Sequence, residues 1–575
     1  MRRLMALADR VAMSRLLERA RHWVAGDPDP TTRDEILGLI DQNDLEGLEQ
    51  RFLPEITFGT AGIRGMVGAG PARMNRAVVI KTTAGLASIL NEGYPGPVIV
   101  GFDARPTSRG FAEDVAGVLA AAAIEVVFFP APTPTPLVAF TARVMGAAAA
   151  VVITASHNPP QDNGYKVYGA NAAQIIPPLD IEISARIRES APANQIAMID
   201  DPLGPGTAMV KLAPTDIFDR YRVEVDQARP RPTGSDLKIV YTPLHGCGGD
   251  TVSRLLESAG HRNMIRVAEQ YKPDGTFPTV GFPNPEEKGA LDLALATARR
   301  EGADLIIAND PDADRLAAVM PLAGEWRILS GNDLGCLLGD FALRHSGVAR
   351  PIVVSSVVSS PMLGRIAEAR GARHESTLTG FKWIVNAGLA LEAAGEGTFL
   401  YGYEEALGYT VGKVVRDKDG MSAALVFCDL VETLRARGES VWDQLVSLWR
   451  EVGIWASAQH SLTVAGPNGS EQLRAAIETL GTTPPARVGG LGVAGVTDYR
   501  VGAETRPFWL GTQDLIELSF GSAGRALVRP SGTEPKIKVY VDLTQPAAGD
   551  PMAQQLALGD RALEVAATIA GVIDR

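Results

Sequence analysis

Three aspartates at alternate positions follow a predicted buried strand and could hold a metal ion. Asp310, Asp312 and Asp314 come directly after the apolar run ADLIIA. Like charges this close raise each other's pKa, and a hard divalent cation such as Mg²⁺ removes that conflict. A calcium loop of the EF-hand type would need glycine and glutamate where Arg315 and Pro321 stand. The pattern indicates a magnesium site, with a solvated acidic loop as the alternative.

A second polar loop carries a candidate nucleophile. Ser156 lies in TASHNP (154–159), after the apolar strand AAAAVVI, and open α/β sheets bind ligands at such strand ends. Because a serine hydroxyl is a weak nucleophile, it needs a base or a metal, and His157, Lys166 and Arg64 are the candidate polar groups. The GxSxG pattern of lipase-type triads does not occur in this loop. A turn in which serine and asparagine cap backbone groups is the alternative.

A third loop, RPSGTEPK, carries groups that bind anions. It offers a guanidinium, two hydroxyls and backbone N–H groups at a glycine turn, which are the donors that phosphate oxygens accept from. The residues concerned are Arg529, Ser531, Gly532 and Thr533. A plain β-turn accounts for the same residues, so the loop alone predicts a phosphate site no better than a turn.

A fourth loop, GYEEALGY, places two carboxylates between glycines. Glu404 and Glu405 can accept hydrogen bonds from vicinal sugar hydroxyls, and a solvated turn is the alternative. Lys382 in TGFKWI and Lys418 in VRDKDG are possible anion partners nearby, although most lysines are solvated.

The elements that must position these loops follow one pattern: a short β-branched strand, a polar loop, an amphipathic helix and another strand. It begins at PVIVGFDARPTSRGF, at LKIVYTPLHGCGGDTVSRLL and at PIVVSSVVSSPMLGRIAEA, which favours an internal repeat or simply the commonest α/β pattern. Segments rich in glycine and proline predict the domain boundaries. The predicted divisions are an N-terminal helical extension (1–50), a domain with the serine loop (51–208), one with the metal loop (209–323), one with the glutamate loop (324–455) and one with the phosphate loop (456–575).

Composition excludes several classes of protein. The 575 residues are 46% hydrophobic and 21% charged, as in folded soluble proteins. The net charge of −12 disfavours nucleic acid and anionic membranes as partners, so a phosphate ligand needs a local basic pocket.

The cysteines and the N-terminal segment indicate the compartment. The chain has three cysteines without CxxC spacing, Cys247, Cys336 and Cys428, which argues against disulfides and a zinc site and favours a reducing compartment. The first 23 residues predict an amphipathic helix rather than a signal peptide, and prolines and Arg143 interrupt the apolar region 115–154. We therefore expect a cytoplasmic protein without membrane spans.

Taken together, the motifs resemble those of the α-D-phosphohexomutase superfamily, which includes phosphoglucomutases and phosphomannomutases. The resemblance covers about residues 50–575 and rests on five motifs in family order: TFGTAGIRG, TASHNP, DPDADR, GYEEALGY and RPSGTEP. It implies an α/β fold with three similar α/β domains and a smaller C-terminal α+β domain around a central cleft.

The resemblance also implies a role for each motif residue. Ser156 is similar to the serine that carries phosphate in the resting enzyme and is a further ligand of the Mg²⁺ ion, one per chain, held by the three aspartates. Arg64, His157 and Lys166 match polar groups of the catalytic site, and Lys166 and Arg64 are the favoured proton-transfer or charge-stabilising groups. The implied substrate-binding residues are Arg315, Lys382, Glu404, Glu405, Arg529, Ser531, Gly532 and Thr533.

The activity so implied is an isomerase that interconverts sugar 1-phosphates and 6-phosphates of glucose or mannose. The phosphoserine would donate its phosphoryl group to give a bisphosphorylated sugar, and a sugar bisphosphate would act as activator. A clamp that releases phosphate for reorientation implies hinge motion near 455–470. The expected partners are small sugar phosphates, with a monomer or dimer as the assembly.

One departure from the family pattern leaves the sugar open. Ala406 stands where phosphoglucomutases and phosphomannomutases commonly carry serine, and GYEEALGY is similar to the long-chain branch that contains phosphopentomutases. A phosphopentomutase acting on ribose or deoxyribose phosphates is therefore the alternative. A serine-dependent sugar phosphatase is a remote one, because it would not need the clamp at Arg529. A catalytically silent binding protein would be expected to lack Ser156 or an aspartate.

Overall fold

The computed structural model describes residues 2–57, 62–463, 469–530 and 536–573, with backbone alone at 2–12 and 469–470. The expected phosphate-loop residues Ser531, Gly532 and Thr533, residues 58–61 of TFGTAGIRG, and 464–468 of the expected hinge therefore lie outside the described residues. By packing, the chain divides into two units. The first unit comprises Met1–Gln227, Asp236–Ala317 and Val414–Met421, and the second comprises Ala228–Ser235, Ala318–Lys413 and Ser422–Arg575.

Up to the metal loop, three helices are followed by strands and helices that mostly alternate. The helices are α1 (Arg2–Gly26), α2 (Pro30–Asp41), α3 (Leu45–Phe52), α4 (Arg76–Asn91), α5 (Ser108–Ala121), α6 (Thr135–Met145), α7 (Leu179–Glu189), α8 (Ile217–Ala228), α9 (Gly248–Ser258), α10 (Ala268–Tyr271) and α11 (Asp292–Glu301). The strands are β1 (Ile63–Met66), β2 (Val98–Phe102), β3 (Val126–Phe128), β4 (Ala149–Ile153), β5 (Asp162–Tyr168), β6 (Val210–Leu212), β7 (Ile239–Thr242), β8 (Met264–Arg266) and β9 (Leu305–Ala308).

The later elements repeat the alternation and then change to mostly strands. The helices are α12 (Gly331–His345), α13 (Met362–Ala369), α14 (Phe381–Ala393), α15 (Gly420–Arg435), α16 (Val441–Val452), α17 (Gly469–Thr482) and α18 (Pro551–Ile573). The strands are β10 (Ala317–Leu322), β11 (Glu325–Ile328), β12 (Pro351–Ser356), β13 (Arg373–Thr377), β14 (Thr398–Glu404), β15 (Gly408–Val411), β16 (Ile454–Thr463), β17 (Arg487–Val488), β18 (Leu491–Gly492), β19 (Gly495–Asp498), β20 (Ile516–Ser519), β21 (Gly524–Pro530) and β22 (Lys536–Gln545).

One three-stranded core recurs along the chain. In the first unit β2 pairs in parallel with β3 and β4, and β7 pairs in parallel with β8 and β9. In the second unit β12 pairs in parallel with β13 and β14. Each time the first strand of the set is central, so the three strand-ending loops of a set emerge at one edge.

The C-terminal sheet differs, because its strands β16-β22-β21-β20-β19 are all antiparallel and the helices α17 and α18 pack on it. The predicted class of three α/β domains plus a C-terminal α+β domain is thus confirmed. The domain boundaries stay a prediction.

The core explains why the strand ends are fixed. Strands β2 and β4 are buried at every position, as expected for parallel strands covered on both faces. Outside them, α1, α2 and α3 pack around Phe52, whose ring meets that of Trp23 edge-on at 6.3 Å. The three cysteines are buried and unpaired. Within the described ranges, none of the helices is long and apolar enough to span a bilayer.

Asn75 shows how one side chain fixes the entry to a helix. Its Oδ1 accepts a hydrogen bond from the Val78 N–H (3.0 Å), which caps α4, and its Nδ2 donates to the Gly68 and Gly70 carbonyls (2.9 and 2.8 Å). The residue is only 3% exposed. Its loss therefore leaves buried carbonyls without their donor.

We expect Asn75→Ala to lower the free energy of unfolding by about 2–3 kcal/mol, because it removes a helix cap, one buried hydrogen bond and one partly buried hydrogen bond. Ser440→Ala is the matched control: Ser440 caps α16 in an exposed capping box with Asp443, where water replaces the lost bonds, and about 1 kcal/mol is expected. Urea unfolding followed by circular dichroism compares the two variants. Equal losses would contradict this role of Asn75.

Candidate active site

The loop that follows β4 places Ser156 in an uncommon backbone conformation. Its φ is +52°, a region that residues with a Cβ rarely adopt, so the surrounding structure must hold it there. The Ser156 N–H donates to the Thr154 hydroxyl (2.9 Å), which in turn donates to Asp103 Oδ2 (2.8 Å). The serine is thereby tied to Asp103, which follows β2, the neighbouring parallel strand.

Arg105 fixes the rest of this loop. The residue is 3% exposed, and its guanidinium donates to four backbone carbonyls at 2.6–2.9 Å and to Asp103 at 3.1 Å. The carbonyls belong to Ser156, Asn158, Pro159 and Asp162. One buried cation thus supplies hydrogen bonds to the backbone carbonyls of a tight loop. The Phe277 ring packs on this guanidinium, with 5.1 Å between Arg105 Cζ and the ring centroid.

The loop after β9 presents three buried carboxylates. Asp310, Asp312 and Asp314 are each 0% exposed, and one oxygen of each lies within 4.8 Å of one oxygen of the others. Ala313 has a φ of +57°, and the Arg315 N–H donates to Asp310 Oδ1 (3.0 Å), so the loop folds back on itself. The alternating aspartates therefore point to one place, as the sequence predicts.

Ser156 reaches this carboxylate cluster directly. Its hydroxyl donates to Asp310 Oδ2 at 2.6 Å and lies 3.2 Å from His157 Nδ1. The serine is 2% exposed, so the cluster is the environment that determines its chemistry. The carboxyl ends of two separate sheets, those of β4 and β9, supply the two halves of the site.

Cations from three segments balance the cluster. Lys166 Nζ on β5 bonds to Asp312 Oδ2 (2.7 Å) and Asp314 Oδ2 (2.9 Å). Lys418 Nζ lies 3.2 Å from Asp314 Oδ2, and Arg315 Nε lies 3.9 Å from Asp314 Oδ1. These pairs offset the cost of burying three like charges.

The pKa shifts follow from the same contacts. Burial, together with the charges of Asp312 and Asp314, raises the pKa of Asp310 well above its ordinary value. Burial alone would lower the pKa of Lys166, but these two carboxylates raise it, so the ammonium stays charged. Burial and the charge of Arg315 lower the pKa of His157 well below its ordinary value, so its imidazole is neutral at neutral pH.

The cluster fits a divalent metal ion. Among the described residues, the buried atoms Asp312 Oδ1 and Asp314 Oδ1 have no hydrogen-bond donor within reach. Buried carboxylate oxygens normally have a partner, and hard cations such as Mg²⁺ prefer oxygen ligands of this kind. The donor set, the burial and the two oxygens that lack a hydrogen-bond donor all agree with a metal between the aspartates.

Two further residues complete the first unit's site. Arg64 on β1 donates to Asn158 Oδ1 (2.9 Å), which places its guanidinium beside the serine loop. Thr135, at the start of α6, donates from its hydroxyl to Asp312 Oδ2 (2.7 Å) and from its N–H to the Asp312 carbonyl (3.0 Å). The structure thus gathers Arg64, Ser156, His157, Lys166, the three aspartates and Arg315 in one unit.

The second unit carries the two glutamates on a hairpin. Glu404 ends β14 opposite Gly408 of β15, and the three-residue turn between them has Leu407 at a φ of +61°. Glu404 is 8% exposed. Glu405, which is also expected to contact substrate, accepts hydrogen bonds at Oε2 from the Ser356 and Ser359 hydroxyls (3.2 and 3.3 Å).

Arg529, Lys382 and Tyr540 also belong to the second unit. Arg529 lies near the end of β21, and it lies close enough to Tyr540 for its positive charge to lower the pKa of that hydroxyl. Burial raises the pKa of Tyr540, as do the charges of Glu405 and Glu404, so this hydroxyl lies near both the arginine and the glutamate hairpin. Lys382 is 5% exposed, with Nζ 5.3 Å from the Trp383 ring centroid.

Sequence reasoning missed Arg105, Thr135 and Tyr540, and it named Lys418 only as a possible anion partner near the glutamate loop, not as a partner of the aspartates. A signal for Arg105 existed, because GFDAR follows a strand that the α/β pattern sets beside β4. The carbonyl groups that Arg105 binds have no sequence signature. Lys418 belongs to the segment Val414–Met421, which packs in the first unit although its neighbours on both sides belong to the second.

Comparison with known proteins agrees with this arrangement. The solved structure of parafusin, a phosphoglucomutase of Paramecium in its open form, superposes with a TM-score of 0.69 at 18% identity over 90% of this chain and 96% of that one, which shows a shared fold. The Haemophilus influenzae protein named "Probable phosphomannomutase" is 40% identical over 477 residues, 82% of this chain and 93% of that protein. The Schizosaccharomyces pombe protein named "Probable phosphoribomutase" is 37% identical over 561 residues, 92% and 93% of the two chains.

The family comparison covers all four domains. The alpha/beta/alpha domains I, II and III described for phosphoglucomutase/phosphomannomutase match residues 55–194, 219–323 and 330–452, and the C-terminal domain of the same family matches 505–558. With more than half of its length matched and the serine and aspartate loops brought together in one buried site, the chain belongs to the phosphoglucomutase/phosphomannomutase family within the α-D-phosphohexomutase superfamily.

Proposed function

We propose that this chain is a phosphosugar mutase that interconverts the 1-phosphates and 6-phosphates of glucose and mannose through a phosphorylated Ser156. The observation that carries the proposal is the 2.6 Å contact between the Ser156 hydroxyl and Asp310 within a buried carboxylate cluster. A serine in this setting can exchange a phosphoryl group next to a metal ion. The similarity to relatives named as mutases supports the same reaction.

The chain's own residues divide the work of phosphoryl transfer. Phosphoserine 156 passes its phosphoryl group to a free hydroxyl of a sugar monophosphate, which gives a bisphosphorylated sugar. After this sugar reorients, its other phosphoryl group returns to Ser156. Arg64, His157 and Lys166 are the candidates for proton transfer to and from the reacting hydroxyls. Lys166, whose ammonium stays charged, and Arg64 stabilise negative charge on the phosphoryl group.

Asp310, Asp312 and Asp314 would hold one Mg²⁺ together with a phosphoserine oxygen. When bound, this ion neutralises charge on the transferring phosphoryl group. A sugar bisphosphate would act as activator, since it can phosphorylate Ser156 in a chain that has lost its phosphate. The enzyme would act on small sugar phosphates in the cytoplasm, as a monomer or dimer.

The second unit supports sugar binding. We assign Glu404 as the acceptor of sugar hydroxyls, and Arg529, with Ser531, Gly532 and Thr533 of its loop, as the site for the phosphate that is not transferred. Arg315 and Lys382 are further candidates for substrate contacts. A sugar phosphatase would have no use for this second phosphate site, which favours the mutase. A silent binding protein would not need Ser156 and all three aspartates.

A phosphopentomutase is the second candidate. Ala406 in the hairpin turn offers no hydroxyl to the substrate, and the relative named as a phosphoribomutase spans almost the whole chain. We favour the tolerant hexose enzyme because the family matched in all four domains is that of hexose phosphate mutases.

We expect Ser156→Ala to lower kcat by about a thousandfold or more, because alanine lacks the hydroxyl that carries the phosphoryl group. Mass spectrometry of the native protein, after treatment with glucose 1,6-bisphosphate, should find phosphate on the Ser156 peptide. Full activity of the alanine variant would refute the mechanism.

Removal of the metal should stop turnover. We expect a chelator to lower the rate by about a hundredfold or more, and added Mg²⁺ to restore it, because the ion would neutralise charge on the transferring phosphoryl group beside two buried aspartate oxygens that lack a hydrogen-bond donor. Asp312→Asn should weaken Mg²⁺ binding in calorimetry. Asp304→Asn, at the exposed opposite end of β9, is the matched control and should bind as the native chain does. A rate that survives chelation would show the assignment to be wrong.

The sugar can be identified by kcat/KM for glucose, mannose and ribose 1-phosphates, in the native chain and in Ala406→Ser. A site that satisfies a hydroxyl with a placed acceptor discriminates strongly, and alanine supplies no hydrogen bond. We expect comparable values for the two hexoses, and a shift of about tenfold in their ratio in the serine variant. A large native preference for ribose 1-phosphate would establish the pentose alternative. If Ala406→Ser left the order of the three substrates unchanged, residue 406 would not determine specificity.

A further inference from the structure

One face of β21 contacts the α/β domain that precedes it. Alternate residues of a strand share a face, so Arg525, Leu527 and Arg529 point the same way. Leu527 and Tyr540, beside it on β22, pack in one apolar cluster with Val357 of the loop after β12. The strand that ends in the phosphate-loop arginine therefore rests against a loop of another domain.

Arg525 makes the polar contact of that face. Its Nη2 donates to the Ser359 carbonyl (2.8 Å), while its Nε donates to Asp542 Oδ2 (3.1 Å). Asp542, 2% exposed, also accepts a hydrogen bond from the Ser457 hydroxyl at its other oxygen, Oδ1 (2.6 Å). The planar guanidinium is thus anchored within the C-terminal sheet, where Nη1 also lies 3.8 Å from Glu517 Oε2, and its Nη2 reaches out to the loop after β12.

Ser359 connects Arg525 to the glutamate hairpin. Its hydroxyl accepts from the Glu405 N–H (3.1 Å) and donates to Glu405 Oε2 (3.3 Å), and it also meets the Ser356 hydroxyl at 2.8 Å. Ser356 and Ser359 are each 1% exposed. On the other side, Gly331 packs so closely on the Glu405 carbonyl that a Cβ there would lie 1.8 Å from the oxygen. The hairpin has little freedom to move on its own.

We infer that Arg525 is a positioning residue: it fixes the position of Glu404 relative to the C-terminal sheet. The chain of contacts runs from Asp542 through Arg525 and Ser359 to Glu405, the neighbour of Glu404. On this account Glu405 is a structural link and not a substrate ligand. The inference rests on the proposed function, since it gives Glu404 the sugar hydroxyls and Arg529 the distal phosphate.

Its consequence is a defined kinetic signature. One sugar phosphate must meet Glu404 and Arg529 together, so a loosened link misplaces one contact relative to the other. Substrate binding then weakens, whereas the serine and aspartate site keeps its own internal contacts. Arg525 should therefore affect KM far more than kcat.

The test compares Arg525→Lys with Ser457→Ala. A lysine keeps the charge next to Asp542 but cannot bond to it and to the Ser359 carbonyl in the same fork geometry. Ser457→Ala removes a hydrogen bond to the same aspartate and leaves Ser359 untouched. We expect Arg525→Lys to raise KM for glucose 1-phosphate by about tenfold with kcat changed by less than about threefold. We expect Ser457→Ala to change neither constant.

Ser359→Ala should raise KM by a similar factor. The double variant Arg525→Lys/Ser359→Ala should have a KM no higher than that of either single variant, because both substitutions break the same chain of contacts.

Hydrogen exchange gives a readout that does not need turnover. Arg525→Lys should speed amide exchange in 356–361 and 403–409, while Ser457→Ala should not. A native chain that turned over none of the sugar phosphates would refute the proposed function, yet faster exchange would still show the link. Unchanged KM together with unchanged exchange in these segments, in a variant with a native melting temperature, would overturn the inference.

Discussion

The burial of three like charges in one loop is the constraint on which the first unit is built. Asp310, Asp312 and Asp314 are fully removed from water, and each isolated carboxylate would cost several kcal/mol there. Lys166 and Lys418 offset part of that cost through contacts of 2.7–3.2 Å. Two oxygens still lack a donor among the described residues, which makes the loop a place where a divalent cation is stabilising.

The surrounding structure fixes the position of Ser156 relative to this cluster. Parallel strands covered on both faces deliver the two loops at their carboxyl ends. Arg105 then replaces the hydrogen bonds that water would give to the serine loop, so that Ser156 can keep a φ of +52°. In the second unit the same principle recurs, because the buried hydroxyls of Ser356 and Ser359 fix Glu405.

The sequence predicts those parts of the site whose residues are close together along the chain better than those whose residues are far apart. The aspartates converge because they share one loop, and the approach of Ser156 follows from the rule that ligands gather at strand ends. Lys418 could not be placed, since nothing in VRDKDG shows that this segment packs in the first unit. Glu404 and Glu405 are equivalent in sequence, and only the hairpin turn directs Glu405 to the serine hydroxyls. The divisions at 50, 208, 323 and 455 remain predictions, because compactness groups the chain into two units instead.

The central claim is that the phosphoryl group on Ser156 moves to sugar and never to water. The most direct measurement is a single-turnover experiment in which the protein, labelled with ³²P on Ser156, is mixed with unlabelled glucose 1-phosphate and quenched at millisecond intervals. The account predicts that the label leaves the protein for glucose bisphosphate and then glucose 6-phosphate, without inorganic phosphate. Label that remained on the protein, or that was released as inorganic phosphate, would contradict it.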